Sequence, residues 1–170
     1  TGPPSWIIVF LRTDLADWPT KYADYQSPFG SLTGTQFWIG LTYLRALTAQ
    51  GTHRLRVEMQ RADDRQWMWA EYATFSTGRE FYGSELTKQS QNWDSSSFSG
   101  YSGDAGDVLQ PGYFQAVDNS VTSDDLAAVT AAGCGWWIYY GTSPGCLAGR
   151  APDYYSWNNI TLAASRMMTI

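Results

Sequence analysis

The stretch between Lys88 and Arg150 contains neither lysine nor arginine, and this asymmetry limits how the chain can fold. Residues 83–125 are rich in glycine, serine, asparagine, glutamine and aspartate, and they show little hydrophobic periodicity. Such a sequence cannot bury a continuous apolar stripe, so we predict that it is mostly loop. Long ordered loops in compact domains usually carry function. A functional region is therefore expected in this stretch.

The stretch without basic residues holds six aspartates, which are Asp94, Asp104, Asp107, Asp118, Asp124 and Asp125. Without basic partners nearby, these carboxylates would repel one another if they converged. Two interpretations remain open: all six are solvated loop residues, or some of them hold a hard cation, which accepts oxygen ligands. The segment Ser102–Asp107 is predicted to be a structural turn in which aspartate side chains bind nearby backbone amides.

The first half of the chain contains the clearest secondary-structure signals. The apolar run Trp6–Leu11 predicts a buried strand. Asp17–Tyr25 predicts a helix with Asp17 as its N-cap, and a second helix is expected between the cap residue Thr42 and Gly51. Two late apolar segments are also expected to return to the core, and these are Trp136–Tyr140 and Ile160–Ile170.

An antiparallel hairpin is the strongest pairing that the sequence predicts. In His53–Gln60, the apolar residues Leu55, Val57 and Met59 alternate with polar ones, which is typical of a half-buried strand. A turn follows, and Gln66–Phe75 returns as the second strand.

Composition excludes several classes of protein. The chain has 170 residues, 44% of them hydrophobic, and a net charge of −5, so one domain with a sizeable core is expected. It has no basic face of the kind that nucleic-acid binders use, and its apolar runs are too short to span a membrane. His53 is the sole histidine and lies far in sequence from either cysteine, so no nucleophilic triad is expected and the chain is predicted not to be an enzyme.

Cys134 and Cys146 are the two cysteines of the chain. A disulfide between them would indicate a secreted domain, because such bonds persist in oxidising compartments. The alternative is a pair of buried free thiols.

Several motifs resemble those of one family and occur in its order. They are Trp6–Phe10, Asp17–Gly30, Phe37–Leu41, Leu55–Glu58, Ala70–Phe75, Gly78–Glu80, Tyr101–Leu109, Trp136–Trp137 and Ser165–Met168. Together they resemble the fibrinogen C-terminal-like domain, the module of ficolins, tachylectins, angiopoietins and the fibrinogen chains. The resemblance covers nearly the whole chain, with an extra loop near residues 87–99 and without the N-terminal part that family members carry.

This resemblance implies an α+β fold in which a twisted antiparallel sheet with short helices carries a loop-rich calcium- and ligand-binding lobe. The chain would then be a single domain, 1–170, in three parts. Residues 1–86 would form the sheet and helix body, residues 87–158 the binding lobe, and residues 159–170 the return strand.

The resemblance also implies a calcium site. The family places its calcium ligands after a phenylalanine, which corresponds to Phe114 here. Read without gaps, the ligands become Asp118, Ser120, Thr122 and Asp124. Alternate residues of an irregular loop can direct oxygen atoms at one centre, as calcium requires. Ser120 replaces a carboxylate with a hydroxyl, whereas Asp124 adds a charge.

In the lectin branch of the family, an acetyl group lies in a small aromatic pocket beside the calcium loop. The residues that the resemblance assigns to ligand contact here are Tyr139, Tyr140, Gly141, Thr142, Tyr154, Tyr155 and Trp157. The tyrosine of the family's pocket corresponds to Ala132, and its Cys-His pair corresponds to Gly141–Thr142. Trp136 and Trp137 are expected in the core.

Two functions follow from the resemblance. The first is a secreted, calcium-dependent lectin of innate defence that binds glycans bearing acetylated or sialylated sugars. The second is a module that binds a protein receptor or a matrix partner, as in the angiopoietin and fibrinogen branches. Oligomerisation through an upstream segment is expected, since clustering strengthens weak sugar binding. Asn159 begins an acceptor sequence for N-glycosylation in a secreted chain.

Overall fold

The computed structural model describes residues 5–83, 86, 90–138 and 145–170. The strands are β1 Ile7–Arg12, β2 Phe29–Gly30, β3 Gln36–Trp38, β4 His53–Arg61, β5 Trp67–Gly83, β6 Ser90–Gly103, β7 Gly112–Gln115, β8 Trp136–Ile138, β9 Gly145–Cys146, β10 Ser156–Trp157 and β11 Ile160–Thr169. The helices are α1 Tyr22–Gln26, α2 Leu41–Thr48 and α3 Ser123–Ala132. Within the described ranges, no helix is both long and apolar enough to cross a membrane.

The strands form one antiparallel sheet in the order β2-β3-β1-β11-β4-β5-β6-β7-β8, and β10 joins it through β11. The predicted hairpin is confirmed, because β4 pairs with β5 and buries Leu55, Val57 and Met59 completely. The last strand returns between β1 and β4, so the two ends of the described chain meet in the centre of the sheet. This mostly antiparallel sheet with short helices confirms the α+β class.

The prediction that residues 83–125 are mostly loop is wrong. β6 occupies much of the region and pairs with β5 along its whole length, from Ala70↔Gly103 to Gly83↔Ser90. Short polar side chains suit such a long pairing, since serine and threonine form cross-strand hydrogen bonds like that between Thr74 and Ser99. The extra loop expected near residues 87–99 is therefore strand from Ser90 onward.

Both early helices begin at other residues than predicted. α1 starts at Tyr22 rather than at Asp17. The carbonyl oxygens of Pro19 and Thr20 accept hydrogen bonds from other parts of the chain, so the segment before Tyr22 does not join the helix. α2 starts at Leu41 after Gly40, whose φ is 90°, and Thr42 lies inside the first turn instead of capping it.

The core joins the sheet to the later part of the chain through aromatic side chains. Trp38 packs against Phe114 and Trp137, with ring centroids 6.2 and 6.1 Å apart. Its indole N–H donates to the Tyr25 carbonyl over 2.9 Å. Trp136 and Trp137 are buried as predicted. The region after β6 therefore shares one hydrophobic core with the sheet.

Candidate functional site

We define the acidic lobe as residues 104–138 and 145–159, which include β7, α3, β8, β9 and β10. α3 begins at a capping box in which Thr122 and Asp125 bond to each other's backbone amides. It ends at Gly133, which adopts a left-handed conformation with φ 64°. Each end of the helix is thus fixed by residues of the local sequence.

A disulfide joins Cys134, just after α3, to Cys146 in β9. The predicted pairing is confirmed, and the alternative of two free thiols is excluded. The bond fixes the end of α3 to β9, which pairs with β10. It therefore holds together three elements of the acidic lobe.

We expect the Cys134→Ser/Cys146→Ser double variant to lose about 3 kcal/mol of unfolding free energy, because a cross-link of this length restricts the unfolded chain by that amount. Urea unfolding of the two purified proteins measures the difference. An oxidised wild type that gains less than about 1 kcal/mol over the variant would contradict this role.

Arg12 attaches the acidic lobe to the centre of the sheet. Its side chain is fully buried at the end of β1. One guanidinium nitrogen donates to the carbonyl oxygens of Leu147 and Gly149, at 3.1 and 2.6 Å. The other terminal nitrogen donates to Ala16 over 2.9 Å, and the guanidinium carbon lies 4.1 Å from the centre of the Tyr155 ring. Burial lowers the pKa of Arg12, although nearby Tyr155 and Asp14 oppose that shift.

Asp94 forms a second buried charge cluster, which the sequence analysis did not predict. Its carboxylate is fully buried and binds the guanidinium of Arg45. The Tyr22 hydroxyl donates to the same carboxylate, and the Gln26 amide donates over 3.1 Å. Burial and this hydrogen bond raise the pKa of Tyr22 to about 12. Asp94 thus joins α1 and α2 to β6 and is neither solvated nor part of the acidic surface.

The predicted calcium ligands occupy the turn before α3 and the first turn of that helix. Asp118 Oδ1 accepts the Tyr22 amide over 2.8 Å, and the Ser120 hydroxyl donates to the Ala116 carbonyl over 2.7 Å. Thr122 caps α3, and its carbonyl oxygen accepts the Leu126 amide.

The oxygen atoms available to a cation in this segment are therefore limited. The Ser120 hydroxyl donates within the chain and the Thr122 hydroxyl caps α3, so the exposed carboxylates of Asp118 and Asp124 are the charged oxygen ligands that this segment offers. The described residues contain no group of three or more His, Cys, Asp or Glu side chains that could hold a metal ion. Backbone carbonyls and water would have to supply the rest of the six to eight oxygens that calcium takes. The calcium site stays a prediction.

The predicted ligand contacts separate into three groups. Tyr139, Tyr140, Gly141 and Thr142 lie outside the described residues. Tyr155 and Trp157 are fully buried. The Tyr155 hydroxyl hydrogen-bonds to Ser165, and the Trp157 indole donates to the Gly106 carbonyl. Both side chains therefore have a core role in place of the predicted ligand contact. Tyr154 is exposed at 38% and lies 5.6 Å from the Arg150 guanidinium, measured to the ring centre.

The segment Ser102–Asp107 has a structural role, but Ser102 and Gly103 belong to β6 and the backbone amide that Asp104 binds lies in β5 rather than in the turn. Asp104 Oδ1 accepts the backbone amide of Trp69 over 2.8 Å. The Tyr72 hydroxyl accepts the amides of Val108 and Leu109, at 3.3 and 3.0 Å, directly after the turn. These bonds attach the beginning of the acidic lobe to β5.

The surface of the acidic lobe is predominantly negative. Its exposed carboxylates are Asp104, Asp107, Asp118, Asp124 and Asp153. Arg150 is the single lysine or arginine between residues 89 and 165 of the sequence. Such a surface attracts cations and positively charged partners.

His53 is the first residue of β4, which lies outside the acidic lobe. Its Nδ1 is buried and has no hydrogen-bond partner among the described residues.

Comparison with known proteins gives one consistent result. The family model for the fibrinogen beta and gamma chains, C-terminal globular domain, matches residues 1–162. The protein scabrous of Drosophila melanogaster is 34% identical over 140 residues, which are 78% of this chain and 16% of that protein. Fibrinogen-like protein A of Apostichopus parvimensis is 30% identical over 162 residues, which are 91% of this chain and 52% of that protein. The chain thus spans at most about half the length of these two relatives.

Solved structures show the same fold. The fibrinogen-like globe domain of human ANGPTL2 has a TM-score of 0.80 at 23% identity, and the match covers 100% of this chain and 82% of that one. A lamprey fibrin D-dimer, solved with the peptide ligand Gly-His-Arg-Pro-amide, has a TM-score of 0.74 at 19% identity. The match covers 96% of this chain and 60% of that one. The chain belongs to the family of fibrinogen C-terminal globular domains.

Proposed function

We propose that this domain is a secreted recognition module whose acidic lobe binds a positively charged segment of a protein partner. Fibrinogen-like domains are recognition modules rather than enzymes, which supports the general class. The disulfide supports secretion, because such bonds persist outside the reducing cytosol. The single observation that carries the choice of partner is the charge of the lobe.

Only carboxylates on the surface of the lobe can act on a partner. Asp94 is buried with Arg45, and Asp125 is buried in the capping box of α3. Five aspartates of the lobe are left on its surface, and Arg150 is the single lysine or arginine in the sequence from residue 89 to residue 165. Charges of one sign on a binding surface accelerate encounter with the opposite sign and exclude partners of like charge.

The chemistry of a known ligand agrees with this charge. Gly-His-Arg-Pro-amide, the ligand of the lamprey structure, carries an amino terminus and an arginine and is therefore cationic. A cationic segment of a protein is the partner that the acidic lobe suits best.

Calcium-dependent binding of acetylated or sialylated glycans is the second candidate function. The observation that favours it is the exposure of Asp118 and Asp124, the two carboxylates of the predicted calcium segment. Tyr154 would contribute an exposed aromatic face to a sugar. Sialylated glycans are anionic, so without a bound cation the charge of the lobe would oppose them.

An array that carries peptides of graded lysine and arginine content beside acetylated and sialylated glycans discriminates the two functions. We expect binding to rise with peptide charge without calcium and to weaken at about 1 M sodium chloride, where the Debye length falls to about 3 Å. Binding to glycans alone, and only with calcium, would support the lectin function and refute the proposal.

A further inference from the structure

The turn between β10 and β11 carries an acceptor sequence whose side chains make no hydrogen bonds within the described residues. Asn159, Ile160 and Thr161 form the pattern Asn-X-Thr, which is the signal for N-glycosylation. Within the described chain, neither the Asn159 amide nor the Thr161 hydroxyl makes a hydrogen bond, and both residues are exposed. The two groups that a glycosyltransferase must engage are therefore free.

The backbone directs this sequence outward. Trp157 pairs with Ile160, so the hairpin turn consists of Asn158 and Asn159 alone. Both have positive φ angles, 48° and 62°, as a two-residue turn between twisted strands requires. Asparagine tolerates this conformation, which accounts for the residue type at both positions. The turn alone does not account for Thr161, which completes the acceptor sequence at the beginning of β11.

A recess adjoins the acceptor residue. It has a volume of about 470 Å³ and lies between the β10–β11 turn and the end of β4, where Arg61, Ala62 and Asp63 line it. The Ala62 amide donates to the Thr161 carbonyl over 2.9 Å, which fixes the two walls relative to each other. The volume is in the range of sites that hold small molecules.

The lining suits a sugar. Arg61 pairs with Asp63 at 2.8 Å, and both side chains keep further hydrogen-bonding positions for hydroxyl and acetamido groups. Ile160 adds a partly buried apolar wall. A sugar attached at Asn159 can therefore lie against the protein instead of extending into solvent.

We propose that Asn159 carries an N-linked glycan whose first sugar lies in this recess against Arg61 and Asp63. In the modification, the amide nitrogen of Asn159 loses a proton and bonds to the anomeric carbon of a lipid-linked oligosaccharide, and the lipid pyrophosphate leaves. The glycan would lie at the end of the acidic lobe, because β10 pairs with β9, the strand that contains Cys146 of the disulfide.

Mass spectrometry of the protein secreted from eukaryotic cells tests the modification. Trypsin releases residues 151–166 as one peptide, in which Asn158 is an internal control because it lies outside the acceptor pattern. We expect the glycan on Asn159 in the wild type and in Thr161→Ser, and none in Thr161→Val. An unmodified wild-type peptide from the secreted protein would refute the proposal.

The rate at which an endoglycosidase releases the glycan from the native protein tests its position. We expect Arg61→Ala and Asp63→Ala to increase this rate by about fivefold, the factor expected from the loss of about one net hydrogen bond. Asp64→Ala is the control, because Asp64 also pairs with Arg61 but does not line the recess. Equal rates in all three variants and the wild type would show that the sugar does not occupy the recess.

Discussion

Replacement of Arg12 by methionine is expected to lower the unfolding free energy by about 2–6 kcal/mol, because two buried backbone carbonyls lose their hydrogen-bond donor. Methionine fills part of the volume but leaves the buried carbonyl oxygens of Leu147 and Gly149 without their donor. Each buried acceptor without a partner costs about 1–3 kcal/mol. Urea unfolding monitored by tryptophan fluorescence measures the loss.

Arg61→Met is the matched control, because the partly exposed Arg61 pairs with the exposed Asp63 and Asp64, and such ion pairs contribute little. A second readout separates the attachment of the acidic lobe from general instability. In Arg12→Met, amide hydrogen exchange should accelerate first in residues 145–155, which Arg12 holds. A loss below about 1 kcal/mol, similar to that of the control, would contradict the anchoring role.

Replacement of Asp94 by alanine is expected to cost a similar 3–5 kcal/mol, because Arg45 is left partly buried without its counter-charge. The hydroxyl of Tyr22 and the amide of Gln26 lose their acceptor in the same step. Thermal and urea unfolding measure the loss, and Asp153→Ala, at an exposed aspartate of the lobe, is the control.

A double-mutant cycle tests whether the Asp94 effect acts through Arg45. Arg45→Met should cost clearly less in the Asp94→Ala background than in the wild type, since the two residues share one interaction. Additive effects would show that Asp94 stabilises the fold by another route.

The elements that the sequence predicted correctly are those in which periodicity and burial agree. Leu55, Val57 and Met59 alternate in β4, and their burial follows directly from that pattern. β6 was missed because its buried positions include Asp94 and Ser96, polar residues that break the apolar alternation. Its long pairing with β5, rather than its own hydrophobicity, makes it a strand.

The buried charges were missed for a related reason. A charged residue in a sequence is ordinarily predicted to lie in solvent. Arg12 is buried instead, because backbone carbonyls far along the chain accept the hydrogen bonds of its guanidinium. Asp94 was grouped with the five other aspartates of the stretch without basic residues, although Arg45, which neutralises it, lies on a helix distant in sequence. The charge asymmetry itself was visible in the sequence. The structure was needed to separate the aspartates that form the lobe surface from those that stabilise the fold.

The most direct test of the account is the association rate of a lysine- and arginine-rich peptide with two charge-matched double variants. Asp124→Asn/Asp153→Asn removes two exposed carboxylates from the acidic lobe, and Asp63→Asn/Asp64→Asn removes two from the β4–β5 turn. With calcium chelated, the account predicts about tenfold slower association for the lobe variant at low salt and an unchanged rate for the turn variant. Equal rates for the two variants would contradict it.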